Sequence, residues 1–260
     1  MASQEGSSLP RLVEVMERLL SPEGCPWDRE QTLESLVPFL VEETYEVVDA
    51  IETKGPSEHC EELGDLLMQI VFHAALRKRS GGFNVDDVVT GIVDKLVRRH
   101  PHVFGAESGI DTSEQVLLQW DEIKAKEKAG QPKKGALGDV PVAMPPVARA
   151  QKLSKRAAKV GFDWPDVAGC RAKVLEEMEE LETAATDRAR EEELGDLLFA
   201  CVSLARKMGV NAENALRRAN TKFESRFERM EERLKTEGSE LPGASLDEME
   251  AAWVAIKKST

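Results

Sequence analysis

Apolar residues recur at helical spacing along most of the chain, and short runs of glycine and proline separate the segments they mark. RLVEVMERLL (11–20) places Leu12, Val15, Met16, Leu19 and Leu20 on one stripe, and SPEGCPWDRE interrupts it. A second helix is predicted through LESLVPFLVEETYEVVDAI (33–51), where the interior Pro38 predicts a kink or a restart. CEELGDLLMQIVFHAALRKR (60–79) predicts a third helix, VDDVVTGIVDKLVRRH (85–100) a fourth stopped by Pro101, and SEQVLLQWDEIKAKEK (113–128) a fifth. Periodicity then disappears over 128–149, where glycine and proline accumulate, and this stretch reads as a linker. It resumes with AQKLSKRAAKVGFDWP (150–165), two carboxylate-rich helices, a basic helix and a short last one.

The second half repeats the first. VEETYEVVDAI (41–51) matches LEEMEELETAA (175–185), so that Glu43 and Glu46 correspond to Glu177 and Glu180. CEELGDLLMQI matches EEELGDLLFAC (191–201), pairing Glu62 with Glu193 and Asp65 with Asp196. DKLVRR matches TKFESR, which sets Lys95 and Arg99 opposite Lys222 and Arg226. WDEIK matches WVAIK, which sets Trp120 and Lys124 opposite Trp253 and Lys257. Four landmarks in one order define a tandem duplication of an all-α domain: an N-terminal copy over 1–127, the linker, and a C-terminal copy over 150–260.

Residues three or four apart share a helix face. Each copy therefore offers two carboxylate pairs on successive helices. Most helix glutamates simply line a wet surface, but Phe39, Glu43, Glu46 and Ala50 share one face, as do Ala189, Glu193, Asp196 and Ala200. Acids flanked by apolar or small residues predict a groove. Gathered like charges call for a hard divalent cation, and Mg²⁺ commonly arrives with phosphate. The ligand set is Glu43, Glu46, Glu62 and Asp65 in one copy and Glu177, Glu180, Glu193 and Asp196 in the other. Glu42, Glu61, Glu176 and Glu192 stand beside them as alternative ligands or bases. Lys222 and Arg226 reach one object together, and their recurrence as Lys95 and Arg99 favours phosphate contact over pairing along a wet face. Lys173, one turn before Glu177, is a further phosphate candidate, although a helix-surface lysine is ordinarily unremarkable. Trp120 and Trp253 read equally as packing anchors or, with Lys124 and Lys257, as contacts to a base.

Other chemistries lack their signatures. His100 and His102 lie in a proline-interrupted segment with no ExxH, which argues against a di-iron bundle. No phosphate-binding P-loop and no nucleophile motif is present. A net charge of −13 argues against broad nucleic-acid or anionic-membrane binding. No apolar run reaches membrane-spanning length, and MASQEGSSLP does not read as a signal peptide. Cys25, Cys60, Cys170 and Cys201 are scattered, fitting reduced thiols and a cytoplasmic location.

EETYEVVDAI, EELGDLLMQIVFHA and DKLVRRHPHVFG, then KRAAKVGFDW, EEELGDLLFACVSLARKMGV and ANTKFESRF, resemble the two-domain MazG family of nucleoside triphosphate pyrophosphohydrolases. The likeness runs from Leu12 to Lys257. It implies an all-α fold in which helices from two subunits form four-helix-bundle-like units, hence a homodimer. It also implies Mg²⁺-dependent hydrolysis, with Mn²⁺ as an alternative ion, of NTPs and dNTPs to monophosphate and pyrophosphate. Broad base tolerance, nucleotide-pool housekeeping and a part in stress responses go with the family, as does catalysis credited to the C-terminal site. On that reading Glu177, Glu180, Glu193 and Asp196 hold the metal, and Glu176 or Glu192 takes a proton from the attacking water. Lys222 and Arg226 then counter charge on pyrophosphate. The alternatives are a pyrophosphohydrolase of narrower specificity, and a helical scaffold that binds metal or nucleotide without turnover.

Overall fold

The computed structural model describes residues 8–105, 109–127, 129 and 135–258. The polar lead at 1–7, and Lys128 with 130–134 of the predicted linker, lie outside the described residues. Twelve helices and no strand occur among those described. The chain divides into two compact units, Met1–Gly130 and Gln131–Thr260.

The first unit holds α1 (Leu9–Leu19), α2 (Pro26–Glu30), α3 (Val37–Thr53), α4 (Pro56–Arg79), α5 (Val85–Arg99), α6 (Pro101–Phe104) and α7 (Ser113–Glu127). Helix α4 is its axis, packing against α1, α3 and α5. Met16 and Leu20 from one side and Val71 and Phe72 from the other bury almost completely around Leu36, with Phe39 and Met68 against them. Each such side chain is worth about 1.5–3 kcal/mol on leaving water. Pro38 neither kinks nor restarts a helix. It stands in the first turn of α3, where its missing N–H has no helical partner to lose. The preceding turn closes instead through Thr32 and Ser35, whose hydroxyls each accept the other's backbone N–H, at 2.9 and 3.1 Å.

The second unit holds α8 (Pro146–Lys159), α9 (Val167–Thr183), α10 (Asp187–Lys207), α11 (Ala212–Thr236) and α12 (Leu246–Lys258). Here α10 is the axis, against α9 and α8. Helix α8 begins at Pro146, inside the stretch read as linker, because proline tolerates the first helical turn. Where Phe72 fills the first unit, Ser203 stands in the second and donates to Ser154 on α8 at 3.2 Å. Arg206 donates to the same hydroxyl at 2.8 Å and pairs with Asp163, which Lys207 also reaches at 3.0 Å. This network fastens the α8–α9 loop to the end of α10. A second cluster forms where α11 meets α12: Met230, Leu234, Ala244 and Ala252, with Trp253 packed on them.

Both axes end in the same joint. Gly81 and Gly209 take positive φ, 77° and 74°, a conformation that suits glycine. Asn84 then caps α5, accepting from the Asp86 and Asp87 N–H groups, and Asn211 caps α11, accepting from Asn214.

The Arg206 guanidinium holds the Asp163 carboxyl below the usual carboxylate range, helped by Lys207. A depressed carboxylate stabilises the fold above its unfolded pKa, and that contribution fades as pH falls through the folded value. Asp163→Asn should therefore lower stability at neutral pH by about 2 kcal/mol. It should also flatten the loss of stability with acid, as read by urea denaturation across a pH series.

Candidate active site

The α3–α4 and α9–α10 pairs each bring two carboxylate-bearing faces together. In the first copy, oxygens of Glu43, Glu46 and Glu62 all lie within 4.8 Å of one another; in the second, those of Glu177, Glu180 and Glu193 do. Asp65 is half-buried close to the first triad, since its charge bears on Glu43. Asp196, one turn beyond Glu193 on α10, is exposed. Neither aspartate belongs to the close triads.

Charge crowding is visible in how these groups hold protons. Burial pushes the Glu43 carboxyl up, and Asp65 and Glu46 push it further, against a hydrogen bond from Gln69. The Glu180 carboxyl is also raised, first by loss of water around it and then by Glu177 and Glu193, with Lys173 opposing. Three carboxylates this close, with ionisation of one member resisted in each cluster, form a hard-oxygen donor set suited to Mg²⁺ or Mn²⁺.

The two copies offset their charge differently. Lys173 Nζ lies 2.7 Å from both Glu176 and Glu177, and Glu177 is the most buried acid of its cluster, at 5 % exposure. Lys173 thus engages the acids directly. Glu192 pairs with Arg188 at 3.1 Å on an open surface. Phe39 occupies the position corresponding to Lys173 in the first copy. There, Lys54 reaches Glu62 at 3.0 Å instead, and the buried Gln69 donates to Glu43 while its own carbonyl oxygen has no partner. Neither residue was anticipated. Gln69 carries a signal, being a polar residue two turns after Glu62 within an otherwise apolar run. Lys54, just past the end of α3, carries none.

The cations divide in the same way. Arg226 is half-buried with its Nε shielded from water and unpartnered, and Lys222 one turn earlier is exposed. Both ride on α11, which touches α10 and α8. Lys95 is exposed on α5, whereas Arg99, the last residue of that helix, is bound by Glu127 at 2.6 Å. Trp120 meets the His100 ring edge-on at 5.0 Å, and Lys124 Nζ stands over the Trp120 ring, 5.3 Å from its centroid. Trp253 leans on Phe223, with centroids 5.3 Å apart, next to the α11–α12 cluster; Lys257 is exposed near the end of α12.

Each unit thus sets a carboxylate triad between two successive packed helices, followed by a helix that carries a Lys–Arg pair. The MazG nucleotide pyrophosphohydrolase domain model matches residues 31–104 and again 168–230, one segment in each unit. The chain is 46% identical to a nucleoside triphosphate pyrophosphohydrolase of Escherichia coli K12, over 97% of this chain and 98% of that one. It is 43% identical to the nucleoside triphosphate pyrophosphohydrolase/pyrophosphatase MazG of Thermotoga maritima, over 98% of this chain and 97% of that one. A crystal structure of a mazG-related protein from Thermotoga maritima aligns with 45% of the chain and 98% of its own length, at 30% identity and a TM-score of 0.39. The chain belongs to the MazG nucleotide pyrophosphohydrolase family.

Because ionisation of Glu180 is resisted in the metal-free protein, Glu180→Gln should raise the melting temperature measured in chelator. The same substitution should shrink the further rise that Mg²⁺ brings. Thermal melts with and without the ion check both signs together.

Proposed function

We propose that the protein is a Mg²⁺-dependent nucleoside triphosphate pyrophosphohydrolase that works mainly through its second copy. It hydrolyses NTPs and dNTPs of varied base at the α-phosphorus. The observation that carries this reading is the close approach of Glu177, Glu180 and Glu193 on α9 and α10. Support comes from α11, which packs on α10 and α8 and on which Arg226 keeps a shielded, unpartnered N–H.

Glu177, Glu180 and Glu193, with Asp196 at the rim, would hold the ion. Bound Mg²⁺ neutralises triphosphate charge and makes its water a stronger acid. Glu176 or Glu192 accepts a proton from the attacking water; each first has to leave its present cation, Lys173 or Arg188. The water oxygen bonds to the α-phosphorus as the bond to the bridging oxygen breaks, giving monophosphate and pyrophosphate. Lys222 and Arg226 counter the charge gathering on pyrophosphate. Trp253, wedged beside Phe223, holds the end of the basic helix against α12 and leaves Lys257 facing solvent for phosphate contact.

The working form is a homodimer in the cytoplasm. Each unit leaves apolar side chains open: Val89, Ile92, Val93 and Leu96 along α5, and Leu194, Leu198 and Phe199 along α10. A groove of about 500 Å³ between α8, α10 and α11 adds Val147 and Leu216 to that apolar surface. Apolar area of this extent usually marks a protein contact. No helix among the described residues is long and apolar enough to cross a membrane.

Product analysis with Mg²⁺ on the native chain, Glu62→Ala and Glu193→Ala tests the reading. Glu193→Ala should cut monophosphate formation about 100-fold or more while leaving the helical signal intact. Glu62→Ala should retain most of it. A panel of bases and sugars in the same assay reads specificity. Nucleotide binding without any monophosphate from the native chain would leave a scaffold in place of an enzyme.

A further inference from the structure

The two copies carry the same pair of phosphate-type cations, yet only one arginine is already occupied. Glu127, the last residue of α7, grips the end of α5. Its Oε2 accepts from Arg99 Nη2 at 2.6 Å, and its Oε1 accepts from Arg99 Nε at 3.3 Å and from Arg98 Nε at 2.8 Å. A carboxylate across the guanidinium fork uses the same two donors that a phosphate would use. The Arg99 and Glu127 side chains are only 25% and 24% exposed, so water screens this pair less than an ordinary surface pair.

The placement follows from a local difference between the copies. Helix α5 stops at Arg99 because Pro101 cannot continue it, whereas α11 runs ten residues past Arg226 to Thr236. The chain beyond Arg99 is therefore free to fold back, and α7 docks there through Trp120 against His100. Trp120, Lys124 and Glu127 share one face of α7, which directs Glu127 at the arginines. By the Trp120–Trp253 correspondence, the matching position in the second copy is a threonine, Thr260, in place of the glutamate.

We propose that Glu127 is a built-in occupant of the first copy's phosphate-binding arginine, which a triphosphate must displace before it can bind there. The proposal rests on the reading of Arg99 and Arg226 as phosphate contacts. The occupant does not release with ordinary changes of pH: its hydrogen bonds from Arg99 and Arg98 hold the Glu127 carboxyl down to about 2. Displacement has to come from a ligand of higher charge density. The first copy then behaves as a weak site, filled only when triphosphate is abundant, while in the second copy the Arg226 Nε has no hydrogen-bond partner.

Inorganic tripolyphosphate tests this without requiring turnover. In the full chain carrying Arg226→Ala, so that the second copy's arginine is gone, calorimetric titration with tripolyphosphate measures the first copy. Adding Glu127→Gln should tighten binding about tenfold or more, since a competing anion and its repulsion are both removed. Adding Arg99→Ala on top should cancel the gain. Unchanged or weaker binding in Glu127→Gln overturns the proposal, as does a gain that survives Arg99→Ala, which would reflect net charge alone. Loss of the folded state in both Glu127→Gln and Glu127→Asp, seen by thermal melt, would make the residue a structural brace and overturns it too. Should the native chain yield no monophosphate, the catalytic reading fails, while this titration still decides the role of Glu127.

Discussion

Repulsion among carboxylates is the constraint around which each copy is arranged. Three side chains whose oxygens lie within 4.8 Å of one another would separate if their backbones allowed it. They do not separate because the helices bearing them are packed side by side and the second of each pair is the axis of its unit. Burial of Val71 and Phe72 in one unit, and the Ser154–Ser203–Arg206–Asp163 network in the other, fix those axes by different chemistry. Packing thus holds charges where solvent alone would disperse them.

The two copies resolve that tension by different local partners. Lys173 bridges two glutamates on its own helix, whereas the first copy relies on Lys54 from a loop and on Gln69 from the facing helix. A buried amide is a milder counter-group than an ammonium. In both clusters one carboxyl is held up chiefly by burial, Glu43 in the first and Glu180 in the second, with Gln69 opposing in one and Lys173 in the other. Identical ligand residues in duplicated domains need not give identical sites.

Much of this was legible in the residues. Helical periodicity and the duplication follow from the residues, and helix geometry converts separations of three and four into a shared face; the four-acid sets read from that spacing include Asp65 and Asp196, which lie outside the close triads. The position of Pro38 was misjudged because an apolar run extends on both sides of it, while the start of α3 is decided by the Thr32–Ser35 turn. The start of α8 at Pro146 was hidden by neighbouring glycines and prolines. Gln69, Lys54 and Glu127 were not anticipated because each acts on a residue of another helix, and such pairings depend on packing angles that periodicity does not encode. Trp253 reads equally from the sequence as an anchor or a base contact, and its neighbours are Phe223 and the α11–α12 cluster.

The glycine of positive φ followed by a capping asparagine recurs at Gly81 and Asn84 and again at Gly209 and Asn211. Because the turn and the cap are both local, the departure of the next helix is set without help from anything downstream. The joint is consequently a module boundary. Upstream of it, each copy is bound to a two-helix arrangement that keeps its acids converged. Downstream, one copy has a helix that stops at Arg99 before α6 and α7, and the other a longer helix with α12 packed on its end, while both keep the acid triad before the joint. The joint therefore lets the helices after it differ in length between the copies while the packed pair before it is kept.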